Sequence, residues 1–215
     1  MSDEFTELFD QWSAVYDETV AGGDVEYKDV FASYDDILNR IVKRSHGQVL
    51  EFGVGTGNLT KKLVESGLHV VGVEPSHKMR EIAKRKLATV QIVEGDFLQY
   101  PENKVDTIVS SYAFHHLTDE KKEQAIEQYN AVLHKGGKIV FGDTVFTDKR
   151  AHEQAILDAK EKGYDRLAND LATEYYPLLS TLDDMFRNHN FTVAFERMND
   201  FVWIMEAEKQ GGVLS

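Results

Sequence analysis

The chain has 215 residues, 42% of them apolar, and a formal charge of −13. That is length for one domain with a full core, and the acidic surface repels phosphate backbones, so no nucleic-acid partner is expected. There is no cysteine, which excludes disulfides, thiolate nucleophiles and cysteine metal sites. The acidic start Met1-Ser-Asp-Glu-Phe5 has no secretory character. No run approaches the roughly 20 apolar residues that cross a bilayer. A cytoplasmic protein with no membrane partner is the expectation.

Phe5, Leu8, Phe9, Trp12, Val15 and Tyr16 recur at helical spacing, predicting an amphipathic helix over 4–18 that Gly22-Gly23 breaks. Tyr27, Val30, Phe31, Tyr34, Ile37, Leu38, Ile41 and Val42 predict a second helix ending near Gly47. From there strands and helices alternate. Strands are expected at Gln48–Phe52, His69–Val73, Val90–Glu94, Val105–Ser110 and Lys138–Gly142. Helices are expected at Leu59–Ser66, Ser76 to about Leu87 and Thr118–His134, the last opening on Asp119 and Glu120, where the helix dipole favours carboxylates. After a helical stretch over 148–188, Phe191–Glu196 and Phe201–Glu208 form a hairpin across Arg-Met-Asn-Asp.

This alternation predicts an α/β fold, a doubly wound and mostly parallel sheet closed by an antiparallel pair. The whole chain, 1–215, reads as a single domain. It comprises an N-terminal helical cap (1–45), a ligand-binding core (46–147), a helical lid or insert (148–190) and the closing hairpin (191–208).

The first strand enters Val49-Leu-Glu-Phe-Gly-Val-Gly-Thr-Gly-Asn-Leu59. Glycines between a strand and a helix let a ligand approach the backbone, because no Cβ intervenes. A nicotinamide fingerprint needs G-x-G-x-x-G/A, yet the sixth position is Asn58 counted from Gly53 and Thr60 counted from Gly55. The pattern is instead Glu51-x-Gly53-x-Gly55-x-Gly57. Glu74 ends the second strand, where a carboxylate can accept both ribose hydroxyl hydrogens. Asp96 ends the third, placed to accept from an adenine amino group, with Phe97 placed to lie against the base.

These residues resemble the class I S-adenosylmethionine-dependent methyltransferases, over nearly the whole chain. That family has a seven-stranded sheet of order 3-2-1-4-5-7-6 with strand 7 antiparallel. The opening Phe9-Asp10-x-Trp12 and Tyr16-Asp17 look like its small-molecule branch, and the chain is most similar to the YrrT-like methyltransferases. The resemblance implies S-adenosyl-L-methionine as cofactor, held by Gly53, Glu74 and Asp96 with Gly55, Gly57, Phe97 and Tyr16. Glu51 would manage the methionine amino group through water or the loop.

After the fourth strand comes Ser110-Ser-Tyr-Ala-Phe-His-His-Leu117, the loop that borders the transferable methyl group in that family. It lacks the Asn/Asp-Pro-Pro-aromatic motif of enzymes that methylate exocyclic amines of bases or glutamine. Its His-His-Leu resembles small-molecule enzymes, so a small-molecule methyl acceptor is expected. His115 or His116 is a candidate general base, and Asp143, ending the fifth strand, a candidate pocket residue. No third metal ligand is evident near the histidine pair, so no metal is expected. Ala172-Thr-Glu-Tyr-Tyr-Pro-Leu-Leu179 offers apolar bulk and two phenols for an acceptor pocket between the N-terminal segment and 148–188. A non-catalytic module that senses the cofactor or its demethylated product, or another transferase such as an aminopropyl transferase, would share this platform.

Overall fold

The computed structural model describes residues 10, 13 and 15–211. The helix expected over 4–18 therefore lies largely outside the described residues, Phe5, Leu8, Phe9 and Trp12 included. Its end is visible as a helical turn at Tyr16–Glu18 that continues into Thr19–Gly23.

Seven strands form one sheet: β1 Gln48–Phe52, β2 His69–Val73, β3 Gln91–Val93, β4 Val105–Ser111, β5 Leu133–Thr144, β6 Phe191–Arg197 and β7 Val202–Lys209. Their order is β3-β2-β1-β4-β5-β7-β6. The first five run parallel, while β7 is antiparallel to both β5 and β6, as the hairpin reading expects. The helices are α1 Tyr34–Arg44, α2 Asn58–Glu65, α3 His77–Lys86, α4 Asp119–Val132, α5 Lys149–Glu161, α6 Asp165–Thr173 and α7 Leu179–Asn188.

Side chains alternate across each strand, so the sheet feeds two cores. Leu50, Phe52, Ile108, Ile139 and Phe141 join Ile126 and Tyr129 of α4 and Phe186 of α7 on one face. Val49, Val109 and Val140 meet Ile37, Leu38 and Ile41 of α1 with Leu167 and Leu171 of α6 on the other. Ser76 and Thr118 cap α3 and α4 by accepting from the N–H groups of Met79 and Lys121.

Two expectations are corrected. The aromatic run 27–34 continues the helical spacing of α1, but the chain from Val25 to Ser33 forms turns. Long-range bonds compete with the helix there. The Glu26 carboxylate accepts from the Arg166 backbone N–H at 2.9 Å, and the Asn199 amide donates to the carbonyls of Val30 and Ala32 at 3.1 and 2.9 Å. Ser33, at φ 62°, then restarts the chain into α1. The second correction concerns the stretch around Gly136-Gly137, between the helix expected to end at His134 and the strand expected to begin at Lys138. Helix α4 ends at Val132, and Leu133 already pairs with Val105, so the glycines form an irregularity inside a longer β5.

Candidate functional site

The carboxyl ends of β1, β2 and β3 bring Gly53–Gly57, Glu74 and Asp96 to one edge of the sheet. Gly53 has φ 66°, and a Cβ there would stand 2.7 Å from that of Ala113. Gly55 has φ 57° with open space on its Cβ side, so this turn bares its backbone toward the cleft.

Glu74 is only 4% exposed. One carboxylate oxygen accepts from the Gly55 N–H and the other from the Ser76 N–H, both at 2.8 Å. The residue thus ties the glycine turn to the loop before α3, as well as facing the cleft. Burial, only partly offset by those two bonds, pushes its carboxyl up to about 7. Glu51 is buried on the adjacent strand, and its Oε2 has no hydrogen-bond partner among the described residues. Burial, reinforced by the Glu74 charge, pushes Glu51 up to about 8. Asp96 is half-buried and accepts from the N–H groups of Leu98 and Gln99 at 2.8 and 2.9 Å.

Phe97 does not do what was expected of it. Its ring is 1% exposed and stacks on Phe52 at 5.1 Å within the core, turned away from the cleft. The apolar walls of the cleft come instead from Pro75 and Met79.

The segment before α1 lies over this cleft like an arm. Asp17 accepts from the Thr56 hydroxyl at 2.6 Å and from the Asn58 amide at 3.2 Å, and pairs with Lys86 at 2.6 Å. Asp10 accepts from the Ser76 hydroxyl at 2.5 Å and the Lys78 N–H at 3.1 Å. Tyr16 forms part of the cleft wall, and with the arm down the cleft encloses about 40 Å³.

Beyond Tyr16 opens a second cavity of about 400 Å³, walled by aromatic rings including Tyr27, Phe31, Tyr176 and Phe201. Tyr16 and Tyr112 line both chambers, so they form the partition between them. Tyr112 sits at φ 52°, a left-handed conformation that costs a bulky residue about 1–3 kcal/mol and tends to mark functional sites. The cavity lies where the sequence expected one, between the N-terminal segment and the 148–188 region.

The polar end of the cavity holds His115 and His116, on a short 3₁₀ turn after β4, with Glu174 from the end of α6. Asp143, at the end of β5 and 2% exposed, stands behind them. It accepts from the His115 backbone N–H at 3.0 Å and meets its Nδ1 at 2.5 Å. Glu174 lies 3.3 Å from His115 Nε2 and 3.5 Å from His116 Nδ1.

Neither imidazole keeps the ordinary titration that made it a candidate base. Burial opposes charge on His115, but Asp143 and then Glu174 outweigh it and hold the ring up at about 10. Burial, with charged His115 beside it, drives His116 down to about 3. Glu174 would rise by burial, yet the His115 bond and charge bring it to about 2.

Sequence reasoning missed Glu174, Tyr112 and the two latching aspartates. Asp10 and Asp17 stood in the opening motif, and Glu174 stood in a stretch read for its tyrosines. Tyr112 carried no signal, since its strain is set by the turn. The absence of a third ligand near the histidines is also corrected, because Glu174 supplies a third donor, with all three donor atoms within 4.8 Å of one another.

Among the described residues no helix is long and apolar enough to cross a membrane. A family model described as a methyltransferase domain matches residues 49–137. A protein of Anoxybacillus flavithermus named an uncharacterized methyltransferase is 55% identical over 212 residues, covering 98% of this chain and 100% of that one. A Bacillus cereus protein of the same description is 55% identical over the same coverage. Among solved structures, the magnesium protoporphyrin IX methyltransferase of Synechocystis PCC 6803 with bound SAM aligns with TM-score 0.69 at 16% identity, over 98% of this chain and 99% of its own. The DhpI–SAH complex aligns with TM-score 0.69 at 20% identity, over 95% of both chains. At 55% identity along almost its whole length to such relatives, the chain belongs to this family of methyltransferases.

Proposed function

We propose that the chain transfers the methyl group of S-adenosylmethionine to a small-molecule acceptor held in the aromatic cavity. One observation carries the reading: Tyr16 and Tyr112 are shared walls of the cofactor cleft and the larger cavity. A sulfonium methyl presented at that partition would face a nucleophilic atom on the other side. Transfer is then a direct displacement. A bond forms from the acceptor atom to the methyl carbon as the carbon–sulfur bond breaks and its electron pair returns to sulfur.

The residues present fit the cofactor. Glu74 offers carboxylate oxygens for the ribose hydroxyls, and Asp96 an acceptor for the adenine amino group. Glu51 Oε2, without a hydrogen-bond partner among the described residues, gives an ammonium group somewhere to be received, directly or through water. A cleft of about 40 Å³ is far below the ~300–1,000 Å³ of ordinary ligand pockets, so the arm bearing Asp10, Tyr16 and Asp17 would lift for entry and close afterwards. Closure positions the acceptor and excludes water, and proximity of this kind contributes about 7–11 kcal/mol. His115 and His116, braced from behind by Asp143, line the polar end at which the reacting atom of the acceptor would be held. A walled cavity of about 400 Å³ suits a small molecule. The wall shared with that cavity favours transfer over mere sensing of the cofactor.

Calorimetry tests the cofactor half of this reading. One site for S-adenosylhomocysteine and no comparable heat with NAD are expected. Glu51, held near 8, is largely protonated at neutral pH. The incoming ammonium favours its charged form, so binding should release protons and tighten as pH rises from about 6 to 8. Measured at pH 7 in buffers of different ionisation enthalpy, the wild type should show that release and Glu51→Gln should show less. The apo chain carries the opposite signature. A carboxyl raised from 4.5 to about 8 on folding binds more protons folded than unfolded, so its contribution to stability is lost as pH rises through that window. Tight NAD binding, or no S-adenosylhomocysteine site, would overturn the reading.

A further inference from the structure

We propose that His115, His116 and Glu174 form a binding site for a divalent transition-metal ion, Zn²⁺ above all, at the polar end of the aromatic cavity. The separations are the first argument. His115 Nε2 and His116 Nδ1 lie 3.3 and 3.5 Å from the Glu174 oxygens, longer than the ~2.7–3.2 Å of good N–H···O hydrogen bonds. The contacts run to Oε2 and Oε1 respectively, and one donor atom from each of the three residues lies within 4.8 Å of the others, so small side-chain shifts would bring them to the edge, about 3.4 Å, of a tetrahedron whose corners stand about 2.1 Å from a zinc ion.

The outer hydrogen bonds form the second argument. Asp143 Oδ1 lies 2.5 Å from His115 Nδ1. When an ion displaces the Nε2 proton to solvent, this bond keeps the remaining proton on Nδ1 and aims the Nε2 lone pair toward Glu174, the carboxylate–histidine–metal arrangement. The Tyr176 hydroxyl donates to Glu174 Oε2 at 2.5 Å. The segment carrying Glu174 is itself pinned, because the Tyr175 N–H donates to the His115 carbonyl at 3.1 Å and buried Lys122 donates to the Tyr175 carbonyl at 2.6 Å. The three donors are therefore held before any ion arrives.

Charge is the third argument. Two carboxylates, buried Asp143 and largely buried Glu174, flank His115, with oxygens 2.5 and 3.3 Å from its two ring nitrogens. A divalent ion on neutral imidazoles balances both. Two nitrogen ligands and one oxygen, with no sulfur, suit Zn²⁺ and its neighbours in the first transition row. Three protein ligands leave a position open toward the cavity. If that cavity holds the acceptor, as proposed above, an acceptor hydroxyl or thiol could bind there and lose its proton to solvent more readily, which would place acceptors with O–H or S–H groups ahead of amines.

The test needs no acceptor. The tag-free full-length chain, stripped with a chelator, is titrated with Co²⁺ while its visible absorption is followed, and then with Zn²⁺ in competition. One ion per chain is expected, displaced by Zn²⁺. Glu174→Gln and His116→Ala should each weaken binding at least about tenfold, and Asp143→Asn by about 10- to 100-fold as a positioning residue. Thermal melts and S-adenosylhomocysteine calorimetry on the same variants show whether they are folded. Should a variant melt early, the wild-type stoichiometry and its competition by Zn²⁺ decide alone. No uptake by the wild type, or unchanged uptake in folded Glu174→Gln and His116→Ala variants, would overturn the site. Loss of S-adenosylhomocysteine binding by the wild type would instead overturn the cofactor reading and leave the ion site standing.

Discussion

Replacing Asp143 with alanine is expected to destabilise the chain by about 3–5 kcal/mol and to abolish methyl transfer. The carboxylate is 2% exposed and meets three donors: the His115 backbone N–H at 3.0 Å, its Nδ1 at 2.5 Å and the Thr144 N–H at 2.7 Å. Alanine leaves all three without an acceptor, beside a histidine that holds its charge largely because Asp143 is there. Asp143→Asn separates folding from function. It keeps the volume and one acceptor oxygen, so it should fold, while the histidine loses the partner that orients it. Denaturant melts and initial rates on the two variants are the measurement. An asparagine variant with full activity would show that the orientation of His115 does not matter for transfer.

Glu74→Ala should weaken cofactor binding by about 1.5–3 kcal/mol, or roughly 10- to 150-fold, through loss of charge-assisted hydrogen bonds to the ribose. An exposed strand-end carboxylate would leave the apo melt unchanged. Glu74 is buried and bonded to Gly55 and Ser76, so the apo chain should also lose about 1–3 kcal/mol. Calorimetry with S-adenosylhomocysteine and thermal melts of the same preparation separate the two effects. A lower melt with unchanged affinity would make Glu74 a brace for the glycine turn and nothing more.

The parts of the fold written in local patterns were legible in the sequence. His69–Val73 is a strand over the expected residues, and the antiparallel closing hairpin lies where its two apolar runs and polar turn predict. The grouping of the candidate residues Gly53, Glu74 and Asp96 was legible because they sit at strand ends, where the topology gathers them. What escaped depends on contacts distant in sequence. The aromatic run 27–34 has helical spacing, but ties to Arg166 and Asn199 hold 25–33 in turns. Phe97 follows Asp96 and so invited a role against the base, yet the neighbouring Phe52, Phe114 and Phe141 rings draw it into the core. Glu174 lies far along the chain from the histidines it meets, and no spacing rule connects them.

Methyl-labelled S-adenosylmethionine, incubated with the full chain and a fractionated bacterial metabolite pool, tests the central claim most directly. The account predicts label in one dialysable small molecule, formed in step with S-adenosylhomocysteine and lost with Asp143→Ala. Label appearing in protein or nucleic acid instead, or cofactor bound but never demethylated with any fraction, would contradict it.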